Sequence, residues 1–221
     1  MEWFLALGSI LLLDLILSGD NAILIALACK NLPKDKQKKA MIIGCFGAVF
    51  IRVCLTLFAT SMLSIAYLQF FGGIALLYIA MKLLTDKGAE DEHSKNKPVT
   101  LAAAVKTILL ADLIMSLDNI LSLAGVAQTV SDGRWSLIIC GLLASIPLVL
   151  FGSQLFLMLI NRFPIIIYAG SGILAFTAAK MMVTDKALGG YFINFANYIE
   201  VMFVILVITI GYIYNRKMEH I

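Results

Sequence analysis

The chain has 221 residues, of which 61% are hydrophobic and 14% charged, and its mean hydropathy is +0.96. Soluble domains are about 45–50% apolar and about 25% charged, so a soluble core could not bury this much apolar material. These values predict an integral membrane protein and exclude a soluble enzyme, a nucleic-acid-binding protein and a disordered chain. The net charge of +3 is informative only through where each charge lies relative to the bilayer.

Seven segments are apolar and long enough to form membrane helices, for which about 20 residues are needed. They cover residues 3–29, 40–64, 67–84, 100–127, 135–160, 165–183 and 192–214. Between them lie a lysine-rich segment at 30–39, a long charged loop at 85–98, and short turns rich in Gly or Pro. The fold class predicted is therefore an all-α membrane protein with seven transmembrane helices.

The distribution of lysine and arginine predicts the orientation, since cytoplasmic loops are enriched in these residues. With the N-terminus outside, twelve Lys and Arg residues fall on the cytoplasmic side and three outside. We therefore expect a multi-pass protein of the cell membrane with its N-terminus outside and its C-terminus in the cytoplasm.

An internal repeat relates the two halves of the chain. Residues 12–29 and 110–127 are identical at eight of eighteen positions at a shift of 98, including every polar position of the first segment. The tripeptide TDK at 85–87 also recurs at 184–186. Because each half holds three spans, the second copy crosses in the opposite sense, and such inverted repeats are typical of transporters with a site at the repeat interface.

The predicted domain organisation follows from this repeat. The first three-helix repeat covers residues 1–86, a charged cytoplasmic loop covers 87–98, and the inverted second repeat covers 99–186. Residues 187–221 add a seventh transmembrane helix and the C-terminal tail, which have no counterpart in the other half.

Four aspartates lie well inside the apolar spans: Asp14, Asp20, Asp112 and Asp118. An ionised carboxylate near the bilayer centre costs about 2.5–3.5 kcal/mol, so four are tolerable only if paired, protonated, hydrated or bound to a cation. Lys82 and Lys180 end their spans and are counted with the loops. The cations left within the spans are Arg52 and Lys106, and two cations cannot neutralise four anions. A cation site or bound protons is one interpretation, with Arg52 a candidate partner for a carboxylate when no metal is bound. A buried polar network joining the first and fourth spans is the structural alternative.

The repeated polar residues share a helical face in each copy. Asp14, Ser18 and Asn21 lie on one face of the first span, whereas Asp20, six residues after Asp14, points elsewhere on an unbroken helix. We expect a helix opening at Ser18–Gly19 that turns Asp20 inward; the second copy has Leu117 in place of Gly19. Carboxylate, amide and hydroxyl oxygens suit Mg²⁺, Ca²⁺ or Mn²⁺, and protons can compete for them.

At these residues the sequence resembles the TerC family of integral membrane proteins, within the wider LysE-like transporter superfamily. The resemblance spans the chain and rests on the D-x-x-x-S-x-D-N motifs at 14–21 and 112–119 and on GGIALLYIAMKLL at 72–84. It implies export of Mn²⁺, with protons as a candidate counter-ion. The residues it assigns are the ion-binding acids and the side chains that orient or complete their site: Asp14, Asp20, Asp112, Asp118, Asn21, Asn119, Ser18 and Ser116.

Two other functions are compatible with the sequence. One is transport of Ca²⁺ or another cation by the same fold; the other is a membrane scaffold that helps to insert or metallate partner proteins, with the 85–98 loop as its surface. We expect no enzymatic activity, because the carboxylates have no nearby His base and no hydrolase spacing appears. The expected partners are the transported ion and the lipid bilayer, with no resident cofactor and no nucleic acid; the oligomeric state is left open.

Overall fold

The structure is a computed structural model, and it describes residues 7–11, 18–57, 65, 67–86, 100–127 and 134–219. Within these ranges, the side chains of 57, 118–127, 134, 193, 218 and 219 lie outside the description. All regular structure in the described ranges is helical. Residues 7–11 are helical. The helices whose two ends are described are α1 (Gly19–Cys29), α2 (Lys34–Leu57), α3 (Leu68–Thr85), α4 (Leu101–Ala127), α5 (Arg134–Arg162), α6 (Ile165–Thr184), α7 (Gly189–Phe192) and α8 (Ala196–Glu219), with a 3₁₀ turn at Ile193–Phe195 before α8.

Five described helices, α2, α3, α5, α6 and α8, are long and apolar enough to cross a membrane. Helix α4, with 27 residues, coincides with the predicted fourth span. Helix α1 has 11 residues, and residues 12–17 of the predicted first span lie outside the described part of the chain. The multi-pass, all-helical class is therefore confirmed, while the number of seven spans remains a prediction.

The start of α2 differs from the prediction. The lysine-rich segment 30–39 was expected to separate two spans, but the helix already begins at Lys34, directly after Pro33. The Pro33 carbonyl accepts hydrogen bonds from the backbone N–H groups of Lys36 (2.8 Å) and Gln37 (3.0 Å). Lysine and glutamine are good helix formers, so this polar stretch prolongs the apolar helix instead of interrupting it.

Helices α2 and α4 pack side by side and run in the same direction. Gly44 faces Ile108 at one end of the contact, and Arg52 reaches Asp112 further along both helices. A methyl group at Gly44 would lie 2.9 Å from Ile108, and one at Gly47 would lie 2.6 Å from Leu109. The two glycines therefore allow the close approach of the backbones that brings polar groups of α2 and α4 together.

The remaining pairs complete the bundle. Helix α5 runs parallel to the N-terminal part of the chain, since Gly141 faces Ile10 and Gly152 faces Ala22 of α1. Helices α3 and α6 are antiparallel, because the start of α3 contacts the end of α6. Helix α8 packs on α6 and α3 at the edge of the bundle.

Large apolar side chains cover the outside of the bundle. Phe50, Phe71, Phe151 and Ile165 are each 65–71% exposed although they belong to apolar helices. Apolar surface on this scale is unfavourable in water and favourable against lipid chains. The outward faces are therefore the lipid-contacting surface, and the buried polar residues lie on the inward faces.

Candidate cation site

A buried ion pair joins α2 to α4. Arg52 Nη2 lies 2.7 Å from Asp112 Oδ1, and each residue is 4% exposed. The distance is that of a charge-assisted hydrogen bond, so the guanidinium compensates the charge of Asp112 directly. Breaking such a pair by removing one partner leaves an uncompensated buried charge, which is strongly unfavourable.

Ser116 closes this pair into a ring. Its hydroxyl accepts a hydrogen bond from Arg52 Nε (3.2 Å) and donates one to Asp112 Oδ2 (3.2 Å). Asp112 and Ser116 are four residues apart on α4, so they share one face of the helix. Both carboxylate oxygens of Asp112 are thus engaged, one by Arg52 and the other by Ser116.

A small cavity of about 20 Å³ lies beside the ring. The polar side chains that line it come from α1, α2, α4 and α5: Ser18, Asn21, Arg52, Asp112 and Ser145. Apolar side chains complete the wall. About 10–15 Å³ is needed to hold one water, so the cavity has room for a single occupant of that size.

Asn21 and Ser18 bring unpartnered polar atoms to the cavity. Asn21 Nδ2 and Oδ1 and Ser18 Oγ are buried and have no hydrogen-bond partner among the residues that the structure describes. Asn21 is 4% exposed and Ser18 is 5% exposed. Buried polar groups are nearly always satisfied, and these three atoms are the ones that a small polar occupant of the cavity would contact.

Asp20 lies apart from this cavity. Its Oδ1 accepts a hydrogen bond from the backbone N–H of Asn21 (2.9 Å), and its Oδ2 accepts one from Thr177 Oγ1 of α6 (3.4 Å). The carboxylate stands in the first turn of α1, where the helix dipole favours negative charge. Of the four motif aspartates, the two whose side chains are described, Asp20 and Asp112, therefore have different surroundings.

The two copies of the motif have different backbones. Helix α1 begins at Gly19, and Ser18 before it has φ −103° and ψ 1°, so a helix start inside the first motif is confirmed. Helix α4 continues unbroken through Leu117, the counterpart of Gly19. Asp14 and the side chains of Asp118 and Asn119 lie outside the described residues, so their predicted roles are untested.

Residues of α2 and α5 that line the cavity are related by a sequence offset of 97. Three lining residues of α2 stand 97 positions before three lining residues of α5: Ala48 and Ser145, Val49 and Ile146, Arg52 and Val149. The close contacts of Gly44 with Ile108 and of Gly141 with Ile10 repeat the same exchange, at offsets of 97 and 98. The cavity thus lies between helices from both ends of the chain, and Val149 stands at its wall 97 positions after Arg52.

Sequence reasoning missed two polar neighbours of the site, Ser145 and Thr177. Both are hydroxyl residues inside long apolar spans, which is the only signal the sequence carries for them. Among the described residues, no three His, Cys, Asp or Glu side chains are grouped closely enough to hold a metal ion. Besides Asp112, the described oxygens at this cavity belong to amide and hydroxyl groups.

A larger cavity of about 490 Å³ opens where α1 and α3 end and α4 begins. Lys30 Nζ donates to the Leu83 carbonyl (2.6 Å), and Asn31 Nδ2 donates to the Asp86 carbonyl (2.8 Å). Burial lowers the pKa of Lys30 to about 8, although the nearby Asp86 carboxylate opposes this change. All three helix ends were predicted to be cytoplasmic, so this cavity faces the cytoplasm in that topology.

Comparison with known proteins gives consistent matches. The sequence profile of the family described as "Integral membrane protein TerC family" matches residues 1–219. The "Uncharacterized membrane protein YjbE" of Bacillus subtilis (strain 168) is 43% identical over 187 residues, covering 85% of this chain and 83% of that protein.

More distant relatives are also similar. The "Uncharacterized membrane protein YkoY" of Bacillus subtilis is 29% identical over 190 residues, covering 79% of this chain and 58% of that protein. The "UPF0053 inner membrane protein YgdQ" of Escherichia coli (strain K12) is 27% identical over 141 residues, which are 57% of this chain and 60% of that protein. No solved structure matches the chain significantly.

Proposed function

The chain belongs to the TerC family of integral membrane proteins, and on that premise we propose that it exports divalent cations, with Mn²⁺ as the favoured substrate. The LysE-like kinship, the substrate and the direction of transport are part of this proposal. It assigns the 20 Å³ cavity between α1, α2, α4 and α5 as the core of the cation site.

The single observation that carries the proposal is the set of oxygen atoms at this cavity. Asn21 Oδ1 and Ser18 Oγ are buried without partners in the described part of the chain, and Asp112 lines the same space. Carboxylate, amide and hydroxyl oxygens are the donors that hard divalent cations prefer. A cation there would satisfy polar atoms that have no partner among the residues that the structure describes.

The arrangement of the helices supports an inverted repeat of three plus three spans followed by an extra helix. Three contacts are informative: α1 lies parallel to α5, α2 parallel to α4, and α3 antiparallel to α6. The predicted repeat relates α1 to α4, α2 to α5 and α3 to α6. When the helices are exchanged in this way, the pair α1 and α5 becomes the pair α4 and α2, and the pair α3 and α6 is unchanged. In transporters of this architecture the site lies at the interface of the repeats, where this cavity lies.

The large cavity supports an access path from one side. It lies at the helix ends predicted to be cytoplasmic and shares α1, α3 and α4 with the core of the bundle. Alternating access requires the path to open to one side at a time. We assign the described arrangement to the state that is open to the cytoplasm.

Transport by purified protein in liposomes tests the proposal. We expect Mn²⁺ loaded inside to leave vesicles containing the wild-type chain, and Asp112→Asn and Asn21→Ala to lose most of this flux. Asp35→Asn is the matched control, because Asp35 is an exposed carboxylate in the first turn of α2. Full flux in both site variants, or no flux in the wild type, would refute the proposal.

Competition among divalent cations identifies the substrate. Unlabelled Mn²⁺, Ca²⁺ and Mg²⁺ are added in turn against labelled Mn²⁺, and we expect Mn²⁺ to compete most strongly. Stronger competition by Ca²⁺ would assign the same fold to Ca²⁺ transport.

A further inference from the structure

We infer that Arg52 is a tethered substitute for the transported cation: it neutralises Asp112 when the site is empty and must leave Asp112 for a divalent cation to bind. The inference deepens the proposed function and rests on it. Its direct basis is the contact between Arg52 and Asp112 at the wall of the candidate site.

The first step is the geometry of the contact between Arg52 and Asp112. Arg52 holds Asp112 Oδ1 directly and is linked to Oδ2 through Ser116. A cation in the adjacent cavity would lie beside the guanidinium, and like charges at such distances repel strongly in a weakly polarisable interior. The cation and Arg52 therefore compete for the same carboxylate.

The second step concerns the return of the empty carrier. An unpaired carboxylate inside the membrane is costly, so a carrier with an empty, charged site would be slow to change conformation. With Arg52 on Asp112, this half of the site is neutral without any bound ion. Arg52 thereby permits reorientation without a counter-ion at Asp112, which net export requires.

The third step is the asymmetry of the two halves. Val149 takes the position of Arg52 at the cavity wall on α5, and no Lys or Arg lies between Arg134 and Arg162. An arginine at this place in the cavity wall therefore occurs on α2 and not on α5. The corresponding acids of the first half have Val149 at the place equivalent to Arg52. Arg52 is therefore specific to one half of the site and is not repeated in the other.

Net efflux and exchange separate this role from a purely structural one. In liposomes, wild-type protein is expected to support both net Mn²⁺ efflux into Mn²⁺-free buffer and exchange with external Mn²⁺. Arg52→Gln is expected to retain exchange while net efflux slows at least about tenfold, because the empty site now carries an uncompensated carboxylate. Arg52→Lys keeps the charge and is expected to recover part of the net efflux.

Equilibrium binding of Mn²⁺ gives a second readout that does not depend on transport. Removing the internal competitor is expected to tighten Mn²⁺ binding by about tenfold in Arg52→Gln. Asp112→Asn, which removes the carboxylate and keeps the positive charge of Arg52 beside the cavity, is expected to bind Mn²⁺ very weakly. The double variant Arg52→Gln/Asp112→Asn has neither charge, so it folds without an unpaired buried ion and is expected to bind more tightly than Asp112→Asn alone.

The outcomes distinguish a failure of the proposed transport function from a failure of the role inferred for Arg52. Absence of Mn²⁺ flux and binding in the wild type refutes the proposed function. Wild-type flux together with an equal loss of exchange and net efflux in a folded Arg52→Gln, or a double variant that binds more weakly than Asp112→Asn, refutes the role of Arg52. Arg162→Gln is the control, since it removes one exposed cation at the end of α5. It should change neither the rate of net efflux relative to exchange nor the affinity for Mn²⁺.

Discussion

The carboxylate of Asp185, after the end of α6, accepts a hydrogen bond from the backbone N–H of Phe70 in the first turn of α3 (3.2 Å). Its other oxygen accepts the N–H groups of Ala187 (2.9 Å) and Leu188 (3.1 Å). Asp185 is 3% exposed, so one buried carboxylate holds the start of one helix and the turn after another. This contact fixes the antiparallel pair α3 and α6 at one end.

Replacing Asp185 by Ala should destabilise the protein. Three backbone donors would lose their acceptor, and each buried unsatisfied donor costs about 1–3 kcal/mol, so a loss of about 3 kcal/mol is expected if the turn partly relaxes. Thermal unfolding in detergent measures the change. Asp35→Ala, which removes an exposed carboxylate, serves as control and should unfold within a degree or two of the wild type, as surface changes usually do.

The glycines of α2 should be intolerant of side chains. Gly44→Ala would place a methyl group 2.9 Å from Ile108, and overpacking of this kind costs about 1–3 kcal/mol. Gly172→Ala is the matched control, because its methyl group would meet its nearest neighbour at an ordinary 3.4 Å.

The double variant Gly44→Ala/Ile108→Val tests the stated cause. Trimming Ile108 removes part of the clash, so the pair should be more stable than Gly44→Ala alone. If the second substitution added its own cost instead, the contact between α2 and α4 would not be the reason for the glycine.

Lys30 should make stability depend on pH in the alkaline range. Burial lowers its pKa to about 8 from 10.5, so between these values the unfolded chain binds the proton and the folded protein does not. Stability therefore rises with pH across this window as far as Lys30 is concerned. Lys30→Met removes the titrating group, and the wild type should gain stability relative to this variant from pH 8 to 10. An unchanged difference would contradict the lowered pKa.

Labelling of single cysteines tests the orientation in the membrane. In a background without the four natural cysteines, Asp35→Cys and Asn194→Cys place thiols at exposed positions at opposite ends of the bundle. With the N-terminus outside, a membrane-impermeant maleimide added to intact cells should label position 194 and not position 35. The reverse pattern would invert the topology.

Much of the helical organisation follows from the sequence because hydropathy is a local property. The turns at 161–164 and 184–190 are where helices end and begin, and the helix start at Gly19 agrees with the opening predicted there. The start of α2 at Lys34 was not predicted, since a hydropathy boundary does not mark the end of a helix that continues beyond the apolar region. Helix propensity, which lysine satisfies, decides that boundary.

Composition and the repeated pattern of polar residues by themselves determined a multi-pass helical protein with acids in its interior, because the bilayer penalises each polar residue regardless of its neighbours. Only the tertiary structure decided which groups meet. The sequence names Arg52 as a candidate partner for a carboxylate without saying which one. The approach of α2 to α4 at Gly44 and Gly47 places it on Asp112, 60 residues away. It also separates Asp20, which bonds to Thr177, from the cavity of Asn21. Such pairings depend on how helices distant in the chain pack, which no local pattern encodes.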